Sequence, residues 1–225
     1  MSYQILFLSV LLGALIVYVW NPNKLATRLL LAFSGAYLLS VTILHLLPEV
    51  FLESKNTNIT GILIISGILI QFILESFSKG AEHGHIHVHS KTNKLPILLF
   101  ISLCIHAFSE GLPIHNSNDN ILWAVVVHKI PIAVVLTAFL RANKTSVTKA
   151  IIYLFIFAIM SPLGLFLSEK IALLTQYEND INAVIIGVFL HISTVILFES
   201  TENHKFNIQK FTVIIIGVLL TIATL

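Results

Sequence analysis

The chain has 225 residues, of which 56% are hydrophobic and only 11% are charged. A soluble globular domain carries about 25% charged residues, so this composition excludes a soluble enzyme, a disordered chain and a nucleic-acid binder. The formal net charge of +2 gives no reason to expect a polyanionic partner, and the single cysteine, Cys104, excludes an internal disulfide framework or a multi-cysteine zinc site. The composition predicts an integral membrane protein, and its ten histidines are unusual in so apolar a chain.

Long apolar runs recur along the whole chain and set its predicted architecture. A membrane-spanning helix needs about 20 mostly apolar residues, and eight segments approach that length. They are Ile5–Trp20, Leu29–Leu47, Ile59–Phe77, Leu95–Ile114, Ile121–Leu140, Ala150–Leu167, Ile181–Phe198 and Phe206–Leu225. These runs are too long for the strands of a membrane barrel. We therefore predict an all-α integral membrane protein with eight transmembrane helices in a single domain over residues 1–225.

The lysines and arginines set the expected orientation, because the cytoplasmic loops of membrane proteins are enriched in both. With the N-terminus outside, ten of the thirteen fall in inner loops or at inner helix ends. These are Lys24, Arg28, Lys79, Lys91, Lys94, Arg141, Lys144, Lys149, Lys205 and Lys210. Spans one to three then run opposite to spans six to eight, which favours an inverted repeat around central spans four and five.

The fourth span carries two ionisable residues within its apolar run. His106 and Glu110 are four residues apart, so they project from one face of a helix. An ionised carboxylate inside a membrane is costly unless it is paired, hydrated or bound to a metal. Imidazole nitrogen and carboxylate oxygen together suit a borderline divalent cation. The pair indicates a metal site, and the alternative is an interhelical hydrogen bond between buried polar residues.

The fifth span places a histidine, a lysine and a proline close together. His128 is the natural third ligand, while Lys129 cannot bind a metal when charged and needs an anionic partner, for which Glu110 is the nearest candidate. Pro131 removes one backbone hydrogen bond and is expected to kink the helix. The alternative is a structural Lys–Glu ion pair that involves no metal.

Other histidines extend the pattern beyond this group. His45 and Glu49 end the second span and His191 lies within the seventh, so all three are candidate pathway residues. The segment between spans three and four, residues 79–94, is expected to be a His-rich cytosolic loop. Its alternating histidines predict a weak site for metal capture or sensing. They are His83, His85, His87 and His89.

These motifs resemble the ZIP (Zrt-/Irt-like) family of divalent metal transporters. In that family the fourth span carries His-x-x-x-Glu-Gly, like His106 to Gly111 here, and one branch has His-Lys in the fifth span, like His128-Lys129. The elements Leu44 to Glu49, Pro162-Leu163-Gly164 and Gly187 to Leu190 also look like family elements. The resemblance covers the whole chain and implies a transport site made by His106, Glu110 and His128.

Three positions depart from the family pattern in a way that bears on the number of metals. Ala107 stands where many members have Asn or Ser, and Lys129 and Ile132 stand where many have acidic residues. The resemblance therefore implies one bound metal rather than two. Lys129 would occupy the place of the second cation.

The expected function is transport of a divalent cation, zinc before Fe²⁺, Mn²⁺ or Co²⁺, into the cytosol across the inner or plasma membrane. The protein is expected not to be an enzyme, to hold no prosthetic group and to bind no nucleic acid. Its partners are metal ions and the lipid bilayer, and assembly as a homodimer is left open. Two alternatives also stay open. One is an intramembrane zinc-dependent hydrolase, in which zinc activates water, and the other is a non-transporting membrane zinc sensor.

Overall fold

The computed structural model describes residues 1–78, 97–114, 119–199 and 207–224 of the chain. Within these ranges the secondary structure is helical and contains no strand. Eight main helices follow one another along the chain. They are α1 (Ser2–Val19), α2 (Lys24–Leu52), α3 (Thr57–Ser78), α4 (Ile97–Ser109), α5 (Asp119–Ala142), α6 (Val147–Lys170), α7 (Glu178–Glu199) and α8 (Ile208–Ala223). A short 3₁₀ turn, Leu112–Ile114, follows α4, and a short helix, Ala172–Gln176, follows α6.

Seven helical segments of the described chain are long and apolar enough to cross a membrane. They comprise α1 to α3, α4 with its 3₁₀ turn, and α5 to α7. Helix α8 has 16 residues, which is about 24 Å at 1.5 Å per residue and falls short of a bilayer core of about 30 Å. The prediction of an all-helical integral membrane protein is confirmed, with seven full-length candidate spans.

Helix α2 changes geometry near its end. Residues Thr42–Leu46 form a π-helical turn, in which the Leu47 backbone N–H donates to the Thr42 carbonyl. Pro48 follows directly and has no backbone N–H to continue the α-helical pattern. The turn widens the helix where His45 lies, and the His45 Nε2 is 3.3 Å from the Asn120 side-chain nitrogen at the start of α5.

The helices pack in two groups. In the first group, α1 contacts α5 and α6, and α4 contacts α6; in the second, α3 contacts α7, and α2 contacts α7 and α8. Glycines bring backbones together in both groups, as small residues do where lipid supplies no hydrophobic drive. A Cβ on Gly187 of α7 would lie 2.0 Å from the Ile64 carbonyl oxygen of α3. The two groups meet where α2 contacts α5 and where α3 contacts α4.

Polar contacts between helix termini define the two ends of the bundle. At one end, the Tyr3 hydroxyl of α1 donates to Glu169 of α6 at 2.5 Å. We call this the Tyr3 end, and helices of odd number begin there. At the other end, which we call the Arg141 end, the Arg141 guanidinium donates to the Val17 carbonyl at 3.2 Å and Lys210 Nζ donates to the Leu197 carbonyl at 2.6 Å. The helices therefore alternate in direction.

Candidate metal site

Helix α4 supplies His106 from its last turn, and Glu110 is the residue directly after the helix ends. The Glu110 backbone N–H still donates to the His106 carbonyl at 3.1 Å, so the two side chains share one face as predicted. Both side chains are about 1% exposed. Helix α6 holds this end of α4 in place, because the Ser161 hydroxyl donates to the Ala107 carbonyl. A Cβ on Gly111 would lie 2.1 Å from the Ser161 carbonyl oxygen.

Helix α5 supplies the third candidate ligand. His128 and its neighbour Lys129 are both buried, at 0% and 1% exposure. The helix runs from Asp119 to Ala142 without ending at Pro131. Proline lacks a backbone N–H, so the carbonyl of Val127 has no helical donor one turn away. The structure thus keeps α5 continuous while changing its hydrogen bonding one residue before His128.

The candidate ligand atoms of His106, Glu110 and His128 form a compact group, which we call the metal group. Each of His106, Glu110 and His128 offers one atom within 4.8 Å of the others. The Glu110 Oε1 lies 3.1 Å from the His106 Nε2 and 3.6 Å from the His128 Nε2. Tetrahedral zinc with bonds of about 2.0–2.1 Å separates its ligand atoms by about 3.3 Å. The two distances from Glu110 bracket that value, and all three ligand atoms lie within 4.8 Å of one another, so these side chains could together hold a single zinc ion.

Lys129 occupies the other side of the same carboxylate. Its Nζ lies 2.8 Å from the Glu110 Oε2 and 5.0 Å from the centroid of the Phe157 ring. The ring face attracts the ammonium and helps to hold it in a buried position. Glu110 therefore divides its oxygens, with Oε1 directed to the imidazoles and Oε2 to the ammonium. Among the described residues, His106, Glu110 and His128 are the one group of three or more histidine, cysteine or acidic side chains that could hold a metal.

The positions that depart from the family pattern contribute no further ligand. Ala107 and Ile132 are both buried and apolar. The Lys129 ammonium lies where a second cation would have to approach the Glu110 Oε2. Among the described residues, the side chains around Glu110 therefore offer one group of ligands for a metal ion.

The remaining candidate residues lie apart from this group. His45 is partly buried beside Asn120, and Glu49 is exposed one turn further along α2. His191 is partly buried on α7, with its Nε2 2.5 Å from Glu75 Oε2 on α3. The predicted His-rich loop at 79–94 lies outside the described residues. So do its histidines, His83, His85, His87 and His89.

Glu75 was missed at the sequence level. The signal that could have found it is the one that identified Glu110, a carboxylate within an apolar helix. Glu75 lies near the end of the predicted third span, where a carboxylate is readily taken for an interfacial residue. Its contact with His191 joins residues 116 positions apart, which no local spacing reveals.

Comparisons with known proteins match this chain to a family model and to two relatives. A family model described as ZIP Zinc transporter matches residues 81–224, which include all three candidate ligands. Protein zntD of Dictyostelium discoideum is 29% identical over 150 residues, a match that covers 57% of this chain and 22% of that protein. Zinc transporter ZIP1 of Danio rerio is 34% identical over 89 residues, covering 37% of this chain and 30% of that protein. The matches thus span less than a third of each relative.

Proposed function

The chain belongs to the ZIP zinc transporter family, and from this premise we propose that it carries divalent metal cations, zinc foremost, across a membrane into the cytosol. The observation that carries the proposal is the buried group of His106, Glu110 and His128, whose ligand atoms lie within 4.8 Å of one another. Imidazole and carboxylate donors also tolerate Fe²⁺, Mn²⁺ and Co²⁺. The family description and the printed name of the Danio rerio relative support zinc as the first choice.

In the proposed mechanism the cation binds these three side chains and is then released on the opposite side. All three ligands lie on α4 and α5, and both helices contact α6. A rigid-body movement of the second helix group against the first would therefore change access to the site without separating its ligands. Lys129 assists release in this scheme, because a fixed positive charge beside Glu110 weakens the hold on a divalent ion.

The proposed pathway residues lie at different levels along the bundle. His45 contacts the start of α5, eight residues before His128, and so lies toward the Tyr3 end. His45 and Glu49 would line the entrance from that side. His191 lies beyond the metal group toward the Arg141 end and would line the exit. The proposed route thus begins at the Tyr3 end and finishes at the Arg141 end.

The proposed topology has eight spans in one domain over residues 1–225, with the N-terminus outside and residues 79–94 as a cytosolic loop. The helix contacts support an inverted repeat that exchanges α1 with α6, α2 with α7, α3 with α8 and α4 with α5. Under this exchange, the α1–α5 contact corresponds to α6–α4, and α3–α7 corresponds to α8–α2. A close glycine contact occurs in each of these four pairs. The contact of α3 with α4 has no such counterpart among the main contacts of the described helices.

The membrane proposed for this topology is the inner or plasma membrane. There the Arg141 end faces the cytosol. This orientation agrees with the excess of lysine and arginine in loops that join helices at that end.

The contacts made by the carboxylates within the spans favour transport over the two other functions. A zinc hydrolase of the metalloprotease type uses a carboxylate base in addition to its zinc ligands. Within the described spans, Glu110 contacts both imidazoles and Lys129, and Glu75 contacts His191. A sensor would depend on the His-rich loop rather than on a site buried between helices. Family membership adds weight to transport.

Zinc uptake by the purified wild-type protein in liposomes tests the proposal. We expect saturable entry of zinc above the level of protein-free liposomes. Deleting residues 83–89 should leave that entry largely intact, because the loop lies outside the proposed route. Uptake no greater than in protein-free liposomes would overturn the transport proposal in favour of a sensor or an enzyme.

A further inference from the structure

A second histidine–carboxylate pair lies between α3 and α7. The His191 Nε2 and the Glu75 Oε2 are 2.5 Å apart, and both side chains are partly buried. The ring of Phe72 meets the imidazole edge to face, with 6.2 Å between ring centroids. One turn before His191, Gly187 brings the α7 backbone against α3. The pair is therefore held at a close helix crossing.

One hydrogen bond fixes the level of this pair relative to the metal group. The Ser102 hydroxyl of α4 donates to the Leu74 carbonyl of α3 at 2.6 Å. Ser102 lies one turn before His106, and Leu74 precedes Glu75. Four residues of helix span about 6 Å, so Glu75 is next to α4 about one turn from His106. The displacement is toward the Arg141 end, where α3 ends and α4 begins.

The Glu75–His191 pair offers the same donor types as the metal group, but its two ligand atoms lie closer together. Zinc would need about 3.3 Å between its ligand atoms, whereas these atoms are 2.5 Å apart. An ion can enter only if the pair opens by about 0.8 Å. With two protein ligands rather than three, the bound ion would also need water. A site here would therefore bind a cation more weakly than the metal group does.

We propose that Glu75 and His191 form a second, weaker binding station for the transported divalent cation. It lies on the cytosolic side of the His106–Glu110–His128 group. The inference rests on the function and orientation proposed above. A weak site next to a stronger one lets an ion leave, because conduction needs binding that is favourable enough for entry and weak enough for exit. The competing role is a hydrogen-bonded tie between α3 and α7 that never meets the ion.

Substitutions that preserve hydrogen bonding separate the two roles. Glu75→Gln and His191→Gln each remove one metal ligand but keep a polar group able to bond its partner. The exchange variant, Glu75→His with His191→Glu, restores both ligands in swapped positions. We expect each glutamine variant to lower the maximal initial rate of zinc uptake into liposomes about tenfold, and the exchange variant to recover most of it. Wild-type rates in both glutamine variants would overturn the station but leave the transport proposal standing.

Direct metal binding provides a second test in protein that keeps Glu75 and His191. The background replaces His106 and His128 with Gln, which leaves the Glu110–Lys129 ion pair intact, and replaces His45 and the four loop histidines with Ala. Calorimetry with Co²⁺ should then detect one weak site, which His191→Gln should remove. Absence of any Co²⁺ binding in this background would overturn the station. Failure of wild-type liposomes to take up zinc would instead overturn the transport function itself.

Discussion

Glu110 performs two roles with two oxygen atoms. Without a metal, its carboxylate is neutralised by the Lys129 ammonium at 2.8 Å, so the buried pair has no net charge. Removing one partner of a buried ion pair typically costs about 3–5 kcal/mol, because the other charge is left uncompensated. A bound divalent ion adds charge to a pair that is already balanced. In the proposed mechanism, this balance of charge weakens the hold of the site on the cation and so favours release.

Replacing Lys129 tests this balance. In Lys129→Met the positive neighbour is lost and the Glu110 Oε2 becomes available to the metal. We expect zinc to bind about tenfold more tightly, still as one ion at this site, with a lower rate of uptake because release slows. Calorimetry and initial uptake rates measure the two effects. Lys170→Met is the matched control, since Lys170 is exposed at the end of α6.

Weaker zinc binding in Lys129→Met would contradict this view of the lysine. It would show that Lys129 supports the site by orienting Glu110. A Lys129→Arg variant then distinguishes charge from shape, because it keeps the positive charge and alters the geometry of the donor.

The end of α4 is positioned by its contact with α6. A Cβ on Gly164 would lie 2.2 Å from the Phe108 carbonyl oxygen, two residues before Glu110. The α6 backbone therefore lies directly against the turn that holds His106 and Glu110. The small residues at this crossing therefore serve the geometry of the metal group as well as packing.

Gly164→Ala should disturb the metal group through this contact. We expect the variant to lose ~1–3 kcal/mol of stability from overpacking and to show reduced zinc uptake. Gly61→Ala is the matched control, because a Cβ at Gly61 meets nothing within 4 Å. In the control, alanine should be neutral or slightly stabilising, since it favours helix over glycine. Thermal unfolding in detergent and uptake in liposomes measure both variants, and equal behaviour of the two would contradict the proposed constraint.

The helices themselves were accessible from the sequence, because each apolar run is bounded by polar or turn-forming residues. The i, i+4 spacing of His106 and Glu110 likewise predicted their shared face. What could not be predicted depends on contacts between distant segments. The π-helical turn at Thr42–Leu46 has no distinctive composition, and the Glu75–His191 contact exists only once α3 packs on α7.

The candidate metal ligands and the proposed exit pair belong to different helix groups. His106, Glu110 and His128 lie on α4 and α5, whereas Glu75 and His191 lie on α3 and α7. Relative movement of the groups would keep each set together while changing the path between them. In the proposed mechanism, access to the metal ligands changes at the boundary between the two helix groups.

Zinc uptake by single-ligand variants tests whether His106, Glu110 and His128 form the transport site. Liposomes containing His106→Ala, Glu110→Gln or His128→Ala are compared with wild type, after gel filtration shows that each variant is folded. The glutamine keeps a polar partner for Lys129 while removing the carboxylate. We expect each variant to lose nearly all zinc uptake, because the three side chains are proposed to form one shared site. Near-normal uptake by folded Glu110→Gln protein would contradict it.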